Sequence, residues 1–420
     1  MASTYSKHLP ILIAGGGIGG LAAALCLARK GHASHVLEQA ADFGEVGAGI
    51  QLGPNIFKVF DALGLTEAVN DVAFFPDHLI MRDSTTGEEV VRMPVGSPQF
   101  AARYNYRYGV IFRPDLLDVL LQAAKQDPLI TLSTNKKVMR FDGDGDGDDS
   151  AAALVAITAS GERIEGAALI GADGLWSRVR EQVIGDGKPQ VSGHIAYRAV
   201  LPIGEVEEHL RPNSVVLWAG PKRHLVHYPL RRGELFNLVA VFHSDRYDEG
   251  WDVFGDPAEL VDRFRDAAPE VKALLAKIET WKMWVLCDRE PTRNWSSGRV
   301  TLLGDAAHPM LQYLAQGACM ATEDAYVLAE QIDRHSDAHR GAHRCAHRCA
   351  HRCDYAAAFI AYQNERYLRT GRVQLTARFY GEIYHAGDVK AEVRNRMFSA
   401  SAPQPAGEGM AWLYDGIATH

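Results

Sequence analysis

Six residues near the amino terminus, Gly15-Gly16-Gly17-Ile18-Gly19-Gly20, constrain this chain more than any others. They satisfy G-x-G-x-x-G, and their surroundings give the pattern meaning. The apolar run PILIA at 10–14 reads as a short buried strand, and LAAALCLARKG reads as a helix ending at Gly31. ASHVLEQA then reads as a second strand ending near Glu38. Strand, glycine turn, helix and an acid about 20 residues on make the opening of a dinucleotide-binding βαβ unit. Glycines let the backbone approach a pyrophosphate, and the helix N-terminus offers free N–H groups to it. Gly15, Gly17, Ile18 and Gly20 are the expected cofactor contacts, and Glu38 can accept from ribose hydroxyls. An acid at that place leaves no charge room for a 2′-phosphate, which favours FAD or NAD over NADP.

At 420 residues, two domains are expected. The net charge of −8 argues against nucleic acid as a main partner. No apolar run approaches the 18 residues of a membrane span, and MASTYSKHLPILIAGGG lacks a signal-peptide pattern. Three cysteines are scattered and three sit in a local repeat, which is no disulfide framework. These features read as a cytoplasmic protein.

Two later segments, LIGADGLWSRVR at 169–180 and TLLGDAAHP at 301–309, identify the dinucleotide. With the first motif, and in this order, they resemble the three fingerprints of single-component FAD-dependent aromatic hydroxylases, the p-hydroxybenzoate hydroxylase-like flavoprotein monooxygenases. The resemblance runs from about residue 10 to the carboxyl terminus. It implies an α/β fold: a Rossmann-like FAD-binding domain, a mostly antiparallel β-sheet substrate domain and a helical tail. It implies cofactor roles for Asp173 of the DG motif and Asp305 of the GD motif. It also matches FGEVGAGIQLGPN with Gly49, FRPDLLDVL with Arg113, and KKVMRF with Val138, whose backbone would hold the adenine. Only one G-x-G-x-x-G is present, so NADH is expected to dock transiently. A homodimer is the family's habit.

On this reading residues 1–187 form the FAD-binding domain, with 76–104 on the substrate side. Residues 188–290 carry the strand-like runs HIAYRAVLP, SVVLWAG, HLVHYPL, LFNLVAVF and KMWVLC and form the substrate-binding sheet. Residues 291–335 return to the FAD domain, and 355–420 form the helical region. Two segments read as insertions. The acidic run 142–149, DGDGDGDD, begins like a calcium loop but has Ala153 at the twelfth position, so a hairpin turn is expected. The segment 336–354 contains AHRGAHRCAHRCAHRC, a period-four repeat read as a surface expansion. No metal ligand is assigned.

In KRHLVHYPL, residues 222–230, alternation puts His224, Val226 and Tyr228 on one strand face and His227 on the other. An imidazole and a phenol so placed can be a core pair or a polar seat for an aromatic ligand. With a flavin nearby the second reading gains weight. After the GD motif, Pro309 passes beside the flavin, Gln312 offers an amide, and Gly317 and Ala318 open a helix whose N–H groups favour negative charge at the flavin edge. His224, Tyr228 and Gln312 resemble the substrate site of 3-hydroxybenzoate 6-hydroxylases in this family, and Tyr108 matches a further substrate-side tyrosine. The resemblance implies flavin reduction by NADH, reaction with O₂ to a C4a-hydroperoxide, and oxygen transfer para to the hydroxyl of a small aromatic acid, giving 2,5-dihydroxybenzoate. His224 would take or share the phenol proton. Tyr228 would hold the oxygen and Gln312 would orient the ring. Salicylate 1-hydroxylase and hydroxynicotinate hydroxylase are the alternatives within the family. A flavin scaffold whose His/Cys repeat binds metal is the alternative outside it. His308 is given no catalytic role.

Overall fold

The computed structural model describes residues 9–44, 47–143, 153–244, 253–336, 353–400 and 409–419. Most of the acidic run and nearly all of the His/Arg/Cys repeat lie outside these residues.

The glycine motif sits at the centre of a six-stranded sheet. Its order is Ser296–Ser297, Val300–Leu302, Ala168–Gly171, Ile11–Ala14, Ser34–Leu37 and Ile130–Ser133. Every pairing is parallel except that of the edge strand Ser296–Ser297. The central strands are short and uniformly apolar, as expected of parallel strands covered on both faces. Helices Ile18–Arg29 and Gly317–Arg334 pack together against this sheet.

The second layer is an eight-stranded sheet. Its order is Val253–Phe254, Lys282–Asp288, Gln190–Pro202, Leu235–His243, Arg223–Leu230, Ser214–Gly220, His78–Asp83 and Glu89–Met93. All pairings are antiparallel except Ser214–Gly220 with His78–Asp83. The five apolar runs read from the sequence all form strands here. Strand Arg223–Leu230 is buried at all eight positions because both faces are covered. Leu225 joins Trp218, Phe236 and the helices Pro257–Arg263 and Pro269–Leu275 on one side. Val226 and Tyr228 belong to the core of the nucleotide-binding unit on the other.

Helix Tyr355–Tyr384, about 45 Å long at 1.5 Å per residue, ties the two sheets together. Near its start Gln363 accepts from the backbone of Trp295 and Ser296. Midway, Gln374 donates to the carbonyl oxygens of Arg289 and Pro309. Near its end Arg378 pairs with Asp288 at 2.6 Å. Among the described residues no helix is long and apolar enough to cross a membrane.

Candidate active site

The glycine loop is a close-packed cradle. Gly15 has φ +106°, and a Cβ there would stand 2.3 Å from the Ala172 carbonyl oxygen. A Cβ on Gly20 would stand 2.0 Å from the Gly15 carbonyl oxygen. Gly17 caps helix Ile18–Arg29 with extended backbone, leaving that N-terminus without a side-chain cap. Orphan N–H groups facing a glycine loop are what a pyrophosphate needs. Glu38 reaches back across 22 residues and accepts from the Gly16 N–H at 2.7 Å, which puts its carboxylate beside the loop where a ribose would lie. Val138 opens its strand next to a loop whose Asn135 and Lys136 N–H groups bond Ala40 and Glu38.

Asp173 has a local duty. Its carboxylate accepts from Ser177 Oγ at 2.5 Å and from the backbone N–H groups of Arg178 and Val179. Burial raises its pKa against those bonds. Asp305 is different. It is exposed along the chain, yet its surroundings desolvate the carboxyl and raise its pKa, while His308 and Arg113 oppose the rise. A carboxylate that a ligand can reach but water solvates poorly lines a deep cleft. Gly317, which opens the next helix with Ala318, lies against Asp305: a Cβ there would be 3.8 Å from its Oδ1. Arg113 is fixed by its own N–H bonding the Ala48 carbonyl at 2.9 Å, and burial lowers its pKa against the pull of Asp305. The exposed acid, the cation and the free helix N-terminus fit the polar chain of a flavin dinucleotide.

The second sheet forms the opposite wall. Tyr228 is buried against Gly49, where a Cβ would come within 2.8 Å of the phenol oxygen. The Gly49 N–H is held by Asn237 Oδ1 at 2.9 Å, and Asn237 is the cross-strand partner of Tyr228. Burial pushes the Tyr228 phenol pKa up and Arg198 pulls it down. Arg198 donates from Nη2 to Gln312 Oε1 and lies 5.2 Å from the Trp284 ring centroid. Burial lowers its pKa to about 10. Because a guanidinium only donates, Gln312 must accept with its carbonyl and is left with its NH₂ for a ligand. Tyr108 is buried, donates to Gln51 Oε1 at 2.6 Å, and lies within electrostatic range of Tyr228.

His224 is 2% exposed, and burial lowers its pKa to about 3, so the ring is neutral. Its Nδ1 pairs with His385 Nε2 at 2.7 Å, and its ring stands 5.5 Å from Tyr313, next to Gln312. His227 faces the other side, where its Nε2 accepts from Trp218 Nε1 at 3.0 Å. The structure therefore puts Tyr228 and His224 on one strand face, ties Gln312 to that sheet through Arg198, and sets Tyr108 opposite, within electrostatic range of Tyr228. Arg113 bears electrostatically on both Arg198 and Asp305. Arg198, Asn237 and His385 escape a reading of the sequence. Arg198 and Asn237 sit in runs that read as plain strand, and His385 follows the last turn of a helix. Position relative to Tyr228 and His224 marks them, and one sequence carries no such signal.

His308 lies behind this wall. Its Nε2 bonds Asp324 at 2.5 Å. Arg366 bridges Asp324 at 2.6 Å and Glu323 at 2.7 Å.

Comparison with known proteins agrees with this geometry. Residues 8–358 match the family described as an FAD binding domain. The chain is 43% identical over 413 residues, 98% of its length and 97% of the relative's, to a 3-hydroxybenzoate 6-hydroxylase of Polaromonas naphthalenivorans. It superposes with a TM-score of 0.80 on a variant of HpxO of Klebsiella pneumoniae solved with FAD, at 26% identity, covering 97% of this chain and 99% of that one. A salicylate hydroxylase substrate complex gives a TM-score of 0.78 at 25% identity, covering 98% of this chain and 96% of that one.

Proposed function

This chain belongs to the FAD-binding family of flavoprotein aromatic hydroxylases, and we propose that it converts 3-hydroxybenzoate to 2,5-dihydroxybenzoate with NADH and O₂. FAD, which the Gly15–Gly20 loop, Glu38, Arg113 and Asp305 would hold, would supply the redox chemistry that puts one oxygen atom of O₂ on the ring and turns the other to water at the expense of NADH. The protein supplies orientation, proton transfer and exclusion of water.

A phenol is a poor nucleophile toward an electrophilic oxygen, and its phenolate is a good one at the ring carbons ortho and para to the oxygen. His224 serves as the proton acceptor. It is neutral, its Nδ1 is engaged by His385, and its Nε2 takes no hydrogen bond from the described residues. Tyr228 stays protonated, since burial raises its pKa, and it donates to the phenolate oxygen. Gln312, held by Arg198, presents its NH₂ to a second substrate oxygen. Tyr108 closes the far side. The observation that carries this reading is geometric: the His224 imidazole, its Nδ1 engaged by His385, lies on the strand face of Tyr228, opposite the dinucleotide cradle.

The enzyme is proposed to act as a cytoplasmic homodimer. Helix Tyr355–Tyr384 leaves Ile360, Leu368, Leu375 and Phe379 exposed, and such a row of apolar side chains suits an interface.

The test is product analysis. NADH loss, H₂O₂ and aromatic products are followed with 3-hydroxybenzoate and with salicylate. 2,5-Dihydroxybenzoate from the first, with little H₂O₂, is expected. Catechol and CO₂ from the second would keep the flavin chemistry and overturn the substrate assignment.

A further inference from the structure

Behind His224 lies a second group of imidazoles that the proposed chemistry leaves unused. His194, His243 and His385 each offer a ring nitrogen, and the three nitrogens lie within 4.8 Å of one another. The backbone fixes all three. His194 and His243 are directly paired across neighbouring strands. A register shift between Val191 and Ile195, with Gly193 at φ +76°, re-aims His194. Lys222 then clamps the other two, since its N–H bonds the His385 carbonyl at 2.9 Å and its carbonyl accepts from the His243 N–H at 3.0 Å. His194 and His243 are half-buried, which leaves an entry path, whereas His385 is 8% exposed.

The side-chain hydrogen bonds are incomplete. His194 Nδ1 pairs with Tyr313 Oη at 2.7 Å, and His194 Nε2 meets His243 Nε2 at 2.6 Å. His385 Nε2 holds His224, but His385 Nδ1 is buried with no partner among the described residues. A buried orphan nitrogen costs about 1–3 kcal/mol, and the His385 ring that carries it has its centroid 4.7 Å from that of His194 and 5.4 Å from that of His243.

We propose that His194, His243 and His385 form a site for a divalent transition metal of the zinc class, with the fourth position open to water. Three neutral imidazoles suit zinc, copper or nickel. Magnesium and calcium take oxygen ligands, chiefly carboxylates, and the three imidazoles offer none. At a Zn–N distance of about 2.1 Å tetrahedral ligand nitrogens stand about 3.4 Å apart, so the His194–His243 contact opens by less than the width of an atom. A metal on His385 Nδ1 leaves the hydrogen on Nε2, which then donates to His224 Nδ1. His224 must in turn carry its own hydrogen on Nε2, toward the cleft. Metal occupancy therefore removes the lone pair that accepts the phenol proton, and the site restrains the reaction. This last step rests on the proposed role of His224, whereas the metal site does not.

The test begins with FAD-loaded, chelator-washed protein titrated with zinc sulfate, with bound zinc counted after gel filtration. The repeat at 338–353 brings its own imidazoles and thiols, so the count is read as a difference between the wild-type chain and His194→Ala/His243→Ala. Loss of one equivalent per chain is expected, undiminished when excess magnesium is present. Equal counts would overturn the site. His243→Gln, a milder change at a half-buried ring, repeats the comparison should the double variant lose its FAD. For the link to His224, one equivalent of zinc is expected to lower kcat about 10- to 100-fold in the wild type and to leave the double variant unaffected. Zinc bound with unchanged turnover would refute that link. The zinc count needs no substrate, so it stands or falls apart from the 3-hydroxybenzoate assignment.

Discussion

Two buried polar clusters lie on either side of the flavin cleft, and they differ in how well they are satisfied. Behind the GD motif, Glu323 accepts from Arg366, Arg369 and Asn55, while Asp324 accepts from Arg366, His308 and the Gly304 N–H. Across the cleft, His385 Nδ1, Arg198 Nε and Asn237 Nδ2 have no partner among the described residues. In the first cluster every oxygen of the two carboxylates is bonded and opposite charges are matched, while two neutral atoms, His308 Nδ1 and Asn55 Oδ1, are left without a partner among the described residues. The second consists mostly of neutral rings with atoms left over. Breaking a paired buried charge network is strongly destabilising, whereas polar atoms left open in a cleft are where a ligand completes the network.

Substitutions in the two clusters should therefore fail differently. His224→Ala is expected to lower kcat by about 10²- to 10⁴-fold, the usual contribution of a positioned general base. FAD content should barely move, and the denaturation midpoint should fall only modestly, by the loss of the partner of His385 Nε2 and of the buried ring. A pH profile of the residual rate that tracks free phenolate would mark the lost function as proton acceptance. A large drop in stability with intact kcat per folded molecule would put His224 in the same class as Arg366.

Arg366→Met should show the reverse. It removes the one cation that bridges the buried Glu323 and Asp324 and leaves them Arg369, Asn55, His308 and the Gly304 N–H, and breaking such a network costs about 3–5 kcal/mol. Chemical denaturation should register that loss, and the protein that remains folded should turn over normally.

Acid should separate the clusters next. Burial lowers His224 and His227 to about 3 and His194 to about 4. Their unfolded value is about 6.5, so the unfolded chain takes up protons first as pH falls. Their contribution is complete above pH 6.5 and is lost progressively below it, at up to about 1.4 kcal/mol per pH unit for each ring. Asp324 behaves differently. Burial works to raise it, but His308 and Arg366 outweigh burial and hold it at about 2. Its contribution is complete above its unfolded value near 4 and fades only as pH falls from there toward 2. Stability measured from pH 8 to pH 3 should therefore decline from about pH 6.5, well before the paired carboxylate titrates. A flat profile down to pH 4.5 would contradict the neutral-ring description of the second cluster.

Legibility in the sequence divides along the same line. The cradle is local: strand, glycines, helix and Glu38 fall within 30 residues, and each carries its own spacing rule. The strand face of His224 and Tyr228 is legible for the same reason, since alternation along one strand suffices. His385 stands 161 residues from His224 and Gln312 stands 114 from Arg198, and no period connects them. The closed network hides for another reason. Glu323, Asp324, Arg366 and Arg369 look like charges on solvated helix faces until helix Tyr355–Tyr384 crosses helix Gly317–Arg334.

The smallest effect offers the finest comparison, because His227 is three residues from His224 on the same strand. The other face of that strand gives it a structural task. Its Nε2 accepts from Trp218 Nε1, its ring stands 5.3 Å from Phe236, and its Nδ1 is an orphan. His227→Leu should cost about 1 kcal/mol. It leaves the Trp218 N–H unpaired, a loss of about 1–3 kcal/mol, and partly offsets that by removing the orphan nitrogen. Pairing it with Trp218→Phe removes both polar partners and should restore most of the loss. Either variant should flatten the acid limb of the stability profile by one ring's share, and neither should change kcat with any aromatic acid. A kcat that falls with His227 as it does with His224 would mean that the two faces of this strand are not chemically separate.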